Sequence, residues 1–195
     1  MTQPTPGSGH RLTPFERRLV KALYQERLAV CRASGSKATP YGTNTEADCD
    51  EMGVIGEIAF AALFNVYPDF TTQPRKGGCD CLYRGEPVDV KTCKFGKTDL
   101  IIHPRKVGLY EGWFALMALA HPEDRLYGAI FWGFMHSRQA FADEYFNHHL
   151  PEAAYCIPKH LLLPDIAKDE NCEYDDEAPA WPEHQRQAEG TFGDF

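Results

Sequence analysis

Asp80, Asp89 and Lys91 are the residues of this chain whose types and spacing carry chemistry, because all three fall in one stretch, CDCLYRGEPVDVKTCKF, at residues 79–95. Carboxylates are hard oxygen donors of the kind that hold a small divalent cation, and an ammonium beside them stabilises negative charge as it develops. The spacing alone decides little. With 28 acidic residues and nine lysines in 195 positions, composition produces about one acid-x-Lys pair, and such pairs usually sit on solvated edge strands. Asp89-Val90-Lys91 is the single example present. Its surroundings add weight: apolar Val88 and Val90 flank it, Asp80 precedes it, and a further carboxylate, Glu57, stands upstream in MGVIGEIAFAALF at residues 52–64. Nearly every position there is apolar or small, so the pattern predicts a helix buried on most sides. An ionised carboxylate in such a place needs a cation or several donors, or it takes up a proton. A metal or a lysine would serve; the alternative is a Glu57 at the helix surface or in the first turn of a helix that starts later.

The elements that must position these groups follow from pattern. Residues 79–83 and 88–94 are rich in β-branched, aromatic and cysteine side chains, and Arg84-Gly85-Glu86-Pro87 between them is turn chemistry, so a hairpin is expected. The expected register sets Tyr83 opposite Val88, Leu82 opposite Asp89 and Asp80 opposite Lys91. Asp80, Leu82, Asp89, Lys91 and Cys93 then share one face, and Cys79, Cys81, Val88, Val90 and Thr92 the other. Upstream, Thr13-Pro14-Phe15-Glu16 matches a capping box and predicts a helix to about Cys31. Phe15, Leu19, Ala22, Leu23 and Leu28 form its inward stripe; Arg18, Lys21, Gln25 and Arg32 form an outward one that either touches phosphates or is simply solvated. Residues 33–44 read as a loop, after which Thr45 caps the Glu57 helix. Downstream, residues 100–103 form a short strand, and residues 112–120 and 126–135, apolar on both faces, form central strands joined by a turn at 121–124. Ser137 caps a helix to about His149 with Phe141, Tyr145 and Phe146 inward, residues 155–157 make a last short strand, and Pro164 ends the fold.

Gly56-Glu57 on a helix, Gly78-Cys79-Asp80 opening a strand and Asp89-Val90-Lys91-Thr92 on the next resemble, in order and spacing, the PD-(D/E)xK nuclease superfamily. The resemblance covers about residues 50–97 and, loosely, the apolar strands to Phe134. Cys79 stands where a proline often precedes the first strand acid, and no helix is evident at residues 96–112, where the fold usually carries one. The resemblance implies a restriction-endonuclease-like α/β (α+β) fold, a mixed β-sheet flanked by helices. It further implies a Mg²⁺-dependent nuclease, with Mn²⁺ as a substitute: Asp80 and Asp89 hold the metal with help from the Val90 carbonyl, Lys91 assists the water or the developing charge, and Glu57 orients the water or holds a second ion. Arg75, Lys76, Lys94 and Lys97 ring the expected site with positive charge suited to a phosphodiester, so the expected partner is DNA. Two other classes stay open: a nucleic-acid-binding, resolvase-like module with weak or lost catalysis, and a protein-interaction factor.

Composition bounds the rest. A chain of 195 residues with 43% hydrophobic content suffices for one domain with a proper core. The expected division is a disordered N-terminus at 1–12, the nuclease-like domain at 13–164 and an acidic, disordered tail at 165–195. Ten acidic and two basic residues lie in that tail, so it carries the whole formal net charge of −8 and leaves the body balanced. The acidity therefore does not argue against nucleic acid; the tail is expected to contact the protein's own basic surface or another protein. No run reaches a membrane span, the first ten residues lack a signal-peptide core, and seven cysteines without paired spacing argue for reduced thiols in a cytoplasmic protein. Cys79, Cys81 and Cys93 are expected to pack in the core rather than clamp zinc. A homodimer stays open.

Overall fold

In the computed structural model, which describes residues 3–34, 46–72, 78–97, 99–121, 128–150 and 152–166, with backbone alone at 46–50, Thr13 starts the first helix. Its hydroxyl accepts the Glu16 N–H at 3.2 Å, the Glu16 carboxylate accepts the Thr13 N–H at 2.6 Å, and Pro14 needs no partner in the first turn of α1 (Pro14–Ala33). Val20 and Leu23 are buried, with Leu19 and Tyr24 packed beside them. Phe15 and Ala22, expected inward, are exposed. Because α1 packs chiefly on the second helix, a narrow stripe suffices and the first turn stays outside it. Arg18, Lys21 and Arg32 are exposed as expected.

The second helix, α2 (Glu46–Phe64), has every residue from Val54 to Ala61 buried, because it lies between α1 and a sheet. The expected Thr45 cap lies outside the described residues. That sheet has the strand order β1 (Gly9–Arg11), β6 (Gly128–His136), β5 (Trp113–Leu119), β3 (Glu86–Cys93), β2 (Cys81–Tyr83). β3 and β5 run parallel and the other pairs antiparallel, so the sheet is mixed. A smaller sheet of order β4 (Asp99–Ile102), β8 (Ala154–Pro158), β7 (Phe146–Asn147) lies on the far side. The two apolar clusters follow strand alternation: Trp113, Ala115 and Met117 of β5 join Val88 and Val90 against α2, while Phe114 and Leu116 join Leu100, Ile102 and Ile157 of the small sheet. The architecture is a single domain of mixed α and β structure, and no helix among the described residues is long and apolar enough to cross a membrane.

Several expectations change. The N-terminal segment is not structureless: β1 pairs with the edge of β6, and Leu12 is buried. The chain does not leave the fold at Pro164, since Ile166 is a core residue and Asp165 pairs with Arg84 at 3.2 Å; the rest of the expected tail lies outside the described residues. The helix expected to reach His149 is a single turn, α3 (Ser137–Ala140), whose N-cap is His136 rather than Ser137. Phe141 and Phe146 are drawn onto Tyr155 at ring separations of 5.2 and 4.9 Å, and Phe146 enters a strand pairing with β8, so tertiary contacts override the helical pattern. Between β3 and β5 the chain makes β4 and a short 3₁₀ turn at Pro104–Lys106, so the parallel crossover is built without an α-helix among the described residues.

The hairpin turn uses two residues, Arg84 and Gly85, at φ 55° and 88°. Tyr83 therefore faces Glu86 and Cys81 faces Val88, a register two residues from the expected one. An even shift leaves the faces unchanged, so Asp89 and Lys91 stay together on the side opposite Val88 and Val90. Cys79 departs from this pattern: it packs with Cys93 against the second cluster.

Candidate active site

α2 reaches the sheet closely at Gly56, where a Cβ would stand 1.9 Å from the Thr92 hydroxyl oxygen of β3. That approach puts the next residue, Glu57, beside the part of β3 left uncovered where the short β2 ends. Glu57 is 9% exposed, which excludes the surface alternative. It forms an ion pair with Arg27 of α1, whose Nη1 lies 2.9 and 2.8 Å from the two carboxylate oxygens. Arg27 Nη2 also donates to the Asp69 carbonyl at 3.1 Å. Burial pushes the Glu57 carboxyl up, and the Asp89 charge adds to the rise; Arg27 opposes both without cancelling them.

Asp80 lies just before β2. Its backbone N–H donates to the Val88 carbonyl and its carboxylate accepts the Val90 N–H, at 2.8 and 2.7 Å. In an extended strand the N–H and C=O of one residue point to the same edge, so the Val90 carbonyl also faces Asp80. Burial holds the Asp80 carboxyl well above its ordinary range, reinforced by the charges of Glu57 and Asp89. Asp89, 3% exposed, goes the other way. Burial alone would raise it, but two ammonium groups outweigh that cost: Lys91 on Oδ1, and Lys106 Nζ 2.7 Å from Oδ2. The Lys106 contact closes the ion pair on the second carboxylate oxygen. For Lys91, burial favours the neutral amine, and Asp89, Asp80 and Glu57 reverse this and hold the ammonium charged.

The four residues singled out by pattern, Glu57, Asp80, Asp89 and Lys91, thus act on one another electrostatically across three elements. Of the expected basic ring, Lys94 and Lys97 stand in the turn past β3, where the Lys97 N–H donates to the Lys94 carbonyl at 3.0 Å; Arg75 and Lys76 lie outside the described residues. The ion pairs with the carboxylates come instead from Lys91, Arg27 and Lys106. Arg27 went unread in the sequence, although Val20, Leu23 and Arg27 recur at helical spacing and put a guanidinium on the buried stripe. Lys106 was not legible. It is delivered by the 3₁₀ turn, which His103 caps through its ring nitrogen, and the loop is pinned by the Tyr110 hydroxyl between the carbonyls of Pro87 and Trp113 at 3.0 and 2.8 Å. Lys106 Nζ also lies 5.2 Å from the Tyr110 ring centre. Of the three hairpin cysteines, Cys81 is buried, while Cys93 is half-buried with its thiol pushed up to about 12 by burial.

The donors fit a hard divalent cation: three carboxylates and one carbonyl, all oxygen, with Asp80 and Glu57 short of compensating positive charge. Among the described residues no three such side chains are already arranged as a metal cluster, and both Asp89 oxygens face ammonium groups that a cation would have to displace or share. No family model, no curated protein and no solved structure matches the chain.

Proposed function

We propose that this protein is a metal-dependent nuclease of restriction-endonuclease-like fold that hydrolyses phosphodiester bonds of DNA, with Mg²⁺ or Mn²⁺ as its cofactor. The observation that carries the reading is the convergence of Glu57, Asp80, Asp89 and Lys91 at the open edge of β3, where burial leaves two carboxylates without full compensation. Asp80, Asp89 and the Val90 carbonyl would hold the ion, with Glu57 as a further ligand or as the group that orients water. When bound, such an ion polarises the phosphodiester and lowers the pKa of a coordinated water.

The chain's own groups do the rest. Lys91, kept charged by Asp89, Asp80 and Glu57, stabilises negative charge building on the phosphoryl oxygens and is not available as a base. Arg27 fixes the Glu57 carboxylate through both its oxygens, so that Glu57 can orient a water without first reorganising. Lys106, paired with Asp89 Oδ2 at 2.7 Å, supplies a second cation for the substrate phosphate.

Two substitutions separate the roles. Asp89→Asn removes a charge that holds the ion, so Mn²⁺ affinity by isothermal titration and cleavage should fall together. Lys91→Ala should leave Mn²⁺ and DNA affinity nearly intact while turnover falls by about 10²-fold or more, since it removes a group needed as charge develops. A folded Lys91→Ala protein that cleaves DNA like the wild type rules out this site.

A further inference from the structure

Asp80 belongs to two features at once. On one side it faces Glu57 and Asp89; on the other it lines an open cleft of about 650 Å³ whose walls include Tyr67, Phe70, Cys79 and Leu82. Tyr67 is 80% exposed, Leu82 43% and Phe70 37%. A lone exposed apolar side chain needs no explanation, but three grouped on the wall of a cleft that is lined by the half-buried Asp80 call for an occupant. The wall is also fastened to the site. The Asp69 N–H donates to the Asp80 carbonyl at 2.8 Å, and Arg27 bridges the Asp69 carbonyl to Glu57. The Asp69 carboxylate in turn accepts from the N–H and hydroxyl of Thr71 at 2.9 and 2.6 Å. Tyr67 and Phe70 meet edge to face at 5.3 Å and so make one patch.

We propose, resting on the nuclease reading above, that this cleft is a base-binding subsite. It takes the unpaired nucleobase next to the scissile phosphate, stacks it against Tyr67 and Phe70, and so makes single-stranded DNA the preferred substrate. Charge sorts the two ends of the ligand. The phosphate is drawn to Lys106 on the far side of Asp80, whereas the cleft, bordered by Asp69 and Asp80, repels anions and accepts a neutral ring. An intact duplex keeps its bases paired and stacked inside and cannot fill an apolar wall beside its backbone; an unpaired strand can, and aromatic stacking tolerates any sequence.

The test uses the full chain with an oligothymidylate of about twelve nucleotides, the same strand with abasic residues, and a duplex. Binding is read by fluorescence anisotropy in Ca²⁺ and cleavage in Mg²⁺. Tyr67→Ala and Phe70→Ala should each weaken binding of the single strand by about 5- to 100-fold, the range for loss of one stacked base. They should leave the salt slope of binding unchanged, since no phosphate contact is lost, and Tyr67→Trp should restore affinity. The abasic strand should bind the wild type as weakly as the intact strand binds the alanine variants. Equal binding of intact and abasic strands, or alanine variants that bind and cleave single strands like the wild type, overturns the subsite while leaving the nuclease reading in place. Single strands that bind in this way but are never cleaved overturn the nuclease reading and keep the subsite; a wild type that binds no single strand overturns the subsite.

Discussion

The two faces of β3 share one backbone and the same neighbouring strands, yet they answer to different physics. Val88 and Val90 point into the cluster formed with α2, where each buried aliphatic side chain contributes about 1.5–3 kcal/mol and the one polar neighbour on that face, the Thr92 hydroxyl, is buried against Gly56 without a hydrogen bond. Asp89 and Lys91 point the other way, into a place where an ionised group costs several kcal/mol to desolvate and is held only by opposite charge. Replacing such a set by apolar residues of similar volume is often neutral or stabilising. The apolar face is therefore accounted for by folding alone. The charged face is not, and that difference is the strongest argument that it serves chemistry.

The comparison breaks most sharply at Phe60. Its ring is fully buried, stacked on Phe64 at 4.3 Å and edge to face with Phe134 at 6.0 Å, so Phe60→Ala should cost about 3–5 kcal/mol in urea unfolding. Below the unfolding transition its Mn²⁺ affinity should match the wild type. A large fall in affinity with little loss of stability would show that the two faces are not separable. Gly56→Ala comes next and touches both faces. Alanine is the better helix former by about 1 kcal/mol, but its Cβ would collide with the Thr92 side chain, and overpacking costs about 1–3 kcal/mol. The variant should be less stable and, because Glu57 moves with the helix, slower in cleavage; adding Thr92→Ala should recover part of both. A Gly56→Ala protein more stable than the wild type removes the account of close approach.

What the sequence disclosed follows the same division. Side-chain faces in the hairpin were readable because period-two alternation survives an even shift in register. The register was not, because it depends on a two-residue turn in which Arg84 takes a positive φ more usual for Asn or Gly. Glu57 was readable as a polar residue in the otherwise apolar run at 52–64, whereas Arg27 went unread although its spacing from Val20 and Leu23 puts it on the buried stripe. Lys106 and the wall of Tyr67 and Phe70 were not readable, because only the tertiary path of two loops brings them to Asp80 and Asp89. The short α3 shows the converse error: a convincing helical stripe at residues 137–149 yielded to Phe146 pairing with Tyr155.

The smallest expected effect is the most diagnostic of the charged face. Asp80→Asn keeps an oxygen for the Val90 N–H but removes a charge that burial, Glu57 and Asp89 all disfavour. The sign follows from linkage. A carboxyl whose folded pKa is raised binds more protons in the folded state, so its favourable contribution is present below the ordinary carboxylate pKa of about 3.9 and is lost as pH rises through the folded value. Glu57 acts in the same direction; Asp89, lowered by its two lysines, acts in the opposite one and loses its contribution only in acid. Without divalent metal, Asp80→Asn should therefore melt on the order of 3 °C above the wild type at neutral pH. The gap should narrow as the pH falls towards about 3.9 and close below it, where Asp80 is neutral in both states. Saturating Mn²⁺ should reverse the order, because it stabilises a folded protein that binds it and does little for one lacking a ligand. A gap independent of pH, or an Asp80→Asn protein less stable than the wild type in metal-free buffer, would mean that Asp80 is held by compensation rather than left in need of a cation.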